Sequence, residues 1–77
     1  MQIKINAFGH ISELITAPFL DLDAMVDTDQ LRMELLKKYP LMADKQFVIA
    51  VDKKIVLTNT AIHEKSEIAL LPPFSGG

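Results

Sequence analysis

With 77 residues, no cysteine and a formal net charge of -2, the chain holds one small domain, without disulfides, thiolate metal sites or a cysteine nucleophile. A composition of 49% hydrophobic and 23% charged residues is ordinary globular usage and argues against disorder. The slight acidity gives no basic footprint for nucleic acid or anionic lipid, and one tyrosine without tryptophan is a poor platform for stacking bases.

The first strand is expected at Gln2 to Phe8, where polar and apolar residues alternate. Ile3, Ile5 and Ala7 fall on the core face, which puts Phe8 with Gln2, Lys4 and Asn6 on the side that should be wet. Gly9 breaks the strand, and Ile11, Leu14 and Ile15 follow at helical spacing, predicting one or two turns that start near His10 or Ser12. Pro18 to Asp23 alternates again, with Leu20 and Leu22 on one face, and its opening proline suits an edge strand.

Asp27-Thr28-Asp29-Gln30 supplies an N-cap and places negative charge at the positive end of a helix dipole. Leu31, Leu35, Leu36 and Tyr39 form the apolar stripe of that helix. Arg32, Glu34, Lys37 and Lys38 point outward, and Pro40 ends it after Tyr39. Leu41 to Lys45 reads as a loop, with Met25, Met33 and Met42 filling gaps. Gln46 to Val51 is β-branched and almost wholly apolar, as in a strand covered on at least part of both faces. Asp52-Lys53-Lys54 is a turn and Ile55-Val56-Leu57 a return strand, while Thr58 to Ser66 is polar and irregular, with Ala61 and Ile62 plugging the underside of the core. Glu67 to Leu71 is the last strand.

One main helix across one face of a mixed sheet is the two-layer α+β solution for a chain of this size. The other sheet face is left open, and alternation puts Phe8, Leu71 and Ile55 there. Such a patch marks a partner surface unless the loop from Thr58 covers it. The domain then spans residues 1–71, and 72–77 form a flexible tail. Pro72 and Pro73 stop the last strand because neither can donate a ladder hydrogen bond. Phe74-Ser75-Gly76-Gly77 continue to a free carboxylate on glycines that carry no obstructing side chain. Extended at about 3.3 Å per residue, the tail reaches roughly 20 Å, enough to enter a deep cleft on another protein.

Enzymatic readings of the chain itself fare badly. His10 and His63 fall in irregular regions with no nucleophile paired to them, and Asp21 and Asp23 on an edge strand serve solubility. Gly9 is isolated and no helix follows Gly76-Gly77, so there is no phosphate loop. No metal and no cofactor bound by this chain is expected. The longest wholly apolar run, Ile68 to Phe74, is far too short to span a bilayer, and the opening strand is not a signal peptide, so a soluble cytoplasmic protein is expected.

The opening strand ending in Phe8-Gly9, Ser12-Glu13-Leu14-Ile15, a Thr28-capped helix, Ile49-Ala50-Val51-Asp52 and, above all, Glu67-Ile68-Ala69-Leu70-Leu71-Pro72-Pro73-Phe74-Ser75-Gly76-Gly77 resemble the small, sulfur-carrying subunits of molybdopterin synthase. The resemblance covers the whole chain, and the strand-Pro-Pro-x-Ser-Gly-Gly ending is its specific part. Gly9-His10, Ser12 and Ser66 depart from the commonest pattern, which often has Ala after the aromatic, an Arg at Ser12 and a turn Gly at Ser66.

The resemblance implies a ubiquitin-like β-grasp fold and a cosubstrate rather than a catalyst. An adenylyltransferase related to ubiquitin-activating enzymes would use ATP and Mg²⁺ to adenylate Gly77. A persulfide donor would then convert it to a thiocarboxylate, and residues 72–77 would thread into the large subunit, in a heterotetramer, to deliver sulfur to the precursor pterin of the molybdenum cofactor. It also implies that Phe8, Ile55 and Leu71 form the docking surface. Three rivals stand beside this reading. They are a sulfur carrier of thiamin thiazole synthesis, a ubiquitin-like modifier conjugated through Gly77, and an interaction domain with an inert tail.

Overall fold

The computed structural model describes residues 2–17, 19–21 and 26–73. Its first strand, β1 (Gln2–Ala7), alternates as its sequence does, with Ile3 and Ile5 buried and Gln2, Lys4 and Asn6 exposed. A 3-10 helix over Gly9–Glu13 follows, one tight turn rather than an α-helix. Ile11 anchors it in the core, and the Ser12 hydroxyl donates to the Gly9 carbonyl at 2.7 Å. β2 (Phe19–Asp21) pairs antiparallel with β1 at the sheet edge and buries Leu20; Pro18, Leu22, Asp23 and Met25 lie outside the described residues.

β3 (Val26–Asp27) leads directly into helix α1 (Thr28–Lys38). The cap is Asp27 rather than Thr28: its carboxylate accepts the Gln30 N–H at 2.9 Å. Thr28, the first helical residue, is buried and serves a different purpose. Its N–H donates to the Thr60 carbonyl at 2.8 Å and its hydroxyl accepts the Thr60 N–H at 2.9 Å. Asn59 Oδ1 accepts the Asp29 N–H at 2.9 Å. The polar segment after Thr58 is thus spent on orphan donors at the helix start.

The Gln30 N–H, and then the Asn59 amide, hold the Asp27 carboxyl below its ordinary value of 3.8. A lowered folded pKa means stability that is fully present above the unfolded pKa and lost as pH falls through the folded one. Asp27→Asn keeps a capping oxygen without the titration. The gap in thermal midpoint between the parent and this variant should therefore shrink as the solution is acidified below that range; a gap independent of pH would exclude a titrating cap.

Leu31 and Leu35 carry the buried stripe of α1, with Leu36 and Tyr39 half-buried beside it. The stretch expected as a loop is instead a second 3-10 helix, Pro40–Asp44, with proline in its first turn and Met42 fully buried beneath it. Met33, expected to fill a gap, is exposed. The Arg32 guanidinium lies over the Phe47 ring at 4.6 Å from its centroid.

β4 (Val48–Val51) and β5 (Lys54–Val56) form a hairpin whose loop is the two residues Asp52 and Lys53. Lys54 belongs to the strand rather than the turn, and the strand stops short of Leu57. Both loop residues have positive φ, 51° and 72°, the pattern of a type I′ turn. Asp52 has local compensation, since its N–H donates to the Glu67 carbonyl at 2.9 Å and its carboxylate accepts the Glu67 N–H at 3.0 Å. Among the described residues no such pair of hydrogen bonds holds Lys53. Lys53→Gly is accordingly expected to raise stability by roughly 0.5–1 kcal/mol, the left-handed penalty less glycine's extra entropy, measured by urea unfolding.

β6 (Ala61–Ile62) pairs antiparallel with β3 in a separate two-stranded sheet, an element absent from the sequence expectations. Ile62 is buried as expected, but Ala61 is exposed and plugs nothing. In the turn that follows, Ser66 is buried and its hydroxyl accepts the His63 N–H at 3.1 Å, so a side chain supports the turn where glycine might have relaxed it. β7 (Ile68–Leu71) then runs through the middle of the main sheet, whose order is β2-β1-β7-β4-β5. It is parallel to β1 and antiparallel to β4. Ile3, Ile5, Leu20, Ile49, Val51, Ile68 and Leu70 meet Leu31 and Leu35 of α1 in one core. Among the described residues no buried side-chain nitrogen or oxygen lacks a hydrogen-bond partner. A single α-helix across a mixed sheet whose first and last strands lie parallel at its centre is the β-grasp arrangement, an α+β fold.

Candidate docking face and tail root

Alternation along β7 divides its residues between the two sheet faces. Ile68 and Leu70 are fully buried under α1, while Ala69 and Leu71 are only half-buried on the other side. The registers extend this division across the sheet. Leu71 lies opposite Val48, Ala69 opposite Ala50, and Ala50 opposite Ile55. In the parallel pair Ala7 aligns with Leu70, so Phe8, whose N–H donates to the Leu70 carbonyl at 3.0 Å, adjoins Leu71.

Phe8, Leu71 and Ile55 therefore share the face away from the helix, with Phe8 49% and Ile55 44% exposed. Phe8 and Leu71 are neighbours, and β4 separates them from Ile55. The loop after Thr58 does not cover them, because its hydrogen bonds go to the start of α1. Sequence reasoning overlooked two further members. Val48 sits between the β5 side and Leu71, inside an apolar run that hides its own alternation. Leu57 is 86% exposed, and continuing the β4–β5 register puts it opposite Val48; the two-residue step from Ile55 was the available signal. Phe19, 48% exposed opposite Lys4, sits apart at the β2 edge.

β7 ends at Leu71, as the two prolines require. Pro72 is half-buried and Pro73 exposed. Gly9 stands against the Pro72 ring: it has a φ of +61°, and a Cβ placed on it would lie 2.8 Å from Pro72 Cγ. Gly9 thus meets two conditions that other residues fail, the left-handed turn out of β1 and the close approach of a ring. Phe74, Ser75, Gly76 and Gly77 lie outside the described residues.

His10 and His63 are exposed, and His10 directly follows Gly9 at the tail root. Among the described residues no three His, Asp or Glu side chains gather as a cation site, and no helix is long and apolar enough to cross a membrane. A cleft of about 330 Å³ opens between Phe19, Leu20 and Asp21 of β2 and Glu34, Lys37 and Lys38 of α1. Both its lysines are engaged: Lys37 pairs with Glu34 at 3.5 Å and Lys38 donates to the Phe19 carbonyl at 3.5 Å. The apolar face and the tail root adjoin each other where Leu71 meets Pro72.

Comparison with known proteins finds similarity along the whole chain. The molybdopterin synthase sulfur carrier subunit of Caenorhabditis briggsae is 29% identical over 83 residues, spanning 100% of this chain and 99% of that one. The Caenorhabditis elegans subunit is 28% identical with the same coverage, and that of Arabidopsis thaliana is 27% identical over 100% of this chain and 84% of its own. In fold, the chain is similar to the crystal structure of SAMP1 from Haloferax volcanii, with a TM-score of 0.79 and full coverage of both chains at 17% identity. A family model described as the ThiS family matches residues 6–77, from near the end of β1 through the apolar face and the Pro-Pro root, and by that match the chain belongs to the ThiS family.

Proposed function

We propose that this protein is the sulfur carrier subunit of a molybdopterin synthase, working in the cytoplasm, with Gly77 as the residue that carries sulfur. The observation that carries the reading is similarity, over the whole chain, to subunits bearing that name. The chemistry follows from what a glycine carboxylate can and cannot do. Ionised at neutral pH, it resists nucleophiles. An activating adenylyltransferase with ATP and Mg²⁺ joins the carboxylate oxygen to the α-phosphorus and releases pyrophosphate. The terminal sulfur of a persulfide donor then attacks the acyl carbon and AMP leaves; a second thiol takes up the donor's remaining sulfur as a disulfide and frees the thiocarboxylate. The large subunit receives this sulfur for the precursor pterin and provides the catalytic side chains.

Phe8, Leu71 and Ile55 dock on the partners, and Pro72 to Gly77 enter their active sites. The fold supports this division, since the apolar face lies beside the strand from which the tail departs. Intact mass after incubation with the activating enzyme, ATP and a persulfide donor tests it. Exchange of one oxygen for sulfur at Gly77, followed by loss of that sulfur to the precursor pterin with the large subunit, is the expected result. Discharge only to a thiazole precursor would move the protein to thiamin synthesis, and isopeptide-linked products would make it a modifier.

A further inference from the structure

We infer that Gly9 is a positioning residue for sulfur transfer, acting through Pro72 to set the direction in which the tail leaves the domain; this rests on the sulfur-carrier reading above. The observation is the seat itself: a Cβ at Gly9 would stand 2.8 Å from Pro72 Cγ and 3.5 Å from Pro72 Cδ, so the bare α-carbon is what admits the ring. Gly9 is held from both sides. The Phe8 N–H before it is bonded to the Leu70 carbonyl at 3.0 Å, and its own carbonyl accepts the Ser12 hydroxyl at 2.7 Å. The seat is therefore fixed to β7 and to the first 3-10 helix, and cannot simply retreat from an added methyl. Pro72 is equally constrained, because it follows directly on a strand paired along both edges.

Two consecutive prolines make this more than a local contact. Each ring fixes its own φ near -65°, and Pro72 is pushed toward extended backbone by the proline after it. A direction set where Pro72 meets Gly9 is carried stiffly past Pro73. At the φ of +61° that this chain adopts at position 9, a residue with a Cβ would swing the root of the tail while leaving the apolar face in place.

The test is a double-mutant cycle between Gly9→Asn and Pro72→Ala. Asparagine tolerates the positive φ but carries the obstructing Cβ, and alanine at 72 removes the ring atoms it would strike. Rates of Gly77 thiocarboxylate formation by the activating enzyme with ATP and a persulfide donor, and of discharge to the precursor pterin on the large subunit, are measured against carrier concentration. Gly9→Asn should lower kcat by about tenfold to a hundredfold, the scale of a roughly 1 Å misplacement, with KM little changed. In the Pro72→Ala background the same substitution should have almost no further effect.

Additive losses, a KM rise at unchanged kcat, or parental rates in Gly9→Asn would each overturn the inference. Should Gly9→Asn fail to fold, Pro72→Ala decides through the free protein as well as the partners: a reduced kcat together with shifted NMR signals at residues 74–77 in the free carrier supports the inference, and a parental kcat or unmoved signals end it. If the parent protein takes up no sulfur, the carrier reading fails instead. The seat is then judged by a proton contact between Gly9 Hα and Pro72 Hγ in the NMR spectrum, and by shifts at residues 74–77 in Gly9→Asn.

Discussion

Deleting Gly77, or adding one residue beyond it, is expected to abolish thiocarboxylate formation while leaving the domain's unfolding curve unchanged. The two halves of this result have separate causes. The proposed adenylation takes the carboxylate of Gly77 itself, and either change moves or removes that group. The unfolding curve should hold because Gly77 lies beyond Leu71, where the last strand ends, and the core of the described residues runs from Ile3 to Leu70. Intact mass spectrometry reports the first effect and thermal denaturation followed by circular dichroism the second. Sulfur uptake by the deletion variant would remove Gly77 from the mechanism.

The second large effect separates two adjacent leucines. Leu70 is fully buried beneath α1 and Leu71 is half-buried on the opposite face, so a step of one residue changes what a substitution does. Leu70→Ala is expected to cost about 2–5 kcal/mol, a large share of the roughly 5–15 kcal/mol that holds a small domain together. Leu71→Asp should fold, yet lose at least about tenfold in affinity for the large subunit, as should Phe8→Asp. Urea unfolding and titration calorimetry on the same preparations distinguish the cases. An unfolded Leu71→Asp would make that leucine part of the core, and parental binding by both aspartate variants would move the docking surface elsewhere.

Much of this architecture was legible in the chain because its signals are local. The alternation of Gln2 to Ala7, the capped stripe of Leu31 and Leu35, and the Pro72-Pro73 stop each follow from chemistry within a few residues. Phe8 was legible for the opposite reason, as an aromatic out of phase with its strand. What escaped was set by distant partners. A strand of two residues has no period to read, so the β3–β6 pair left no trace in Thr58 to Ser66. Thr28 looked like a cap because threonine often is one. Only Thr60, brought alongside by the fold, shows that its hydroxyl is used elsewhere. Met42 fills the core from a 3-10 turn whose sequence, Pro-Leu-Met-Ala-Asp, carries too few apolar positions for a pattern. Gly9 read as a strand breaker, and its second task became visible only with Pro72 beside it.

The placement of β7 has a mechanical consequence. A tail drawn into a cleft pulls on the strand to which it is tethered. An edge strand loaded from its end can peel away one bond at a time. β7 is flanked by β1 and β4, and tension along it loads both ladders in shear, so that many backbone bonds must yield together before any one does. In the proposed transfer, a partner that grips the tail would therefore load two ladders at once rather than one.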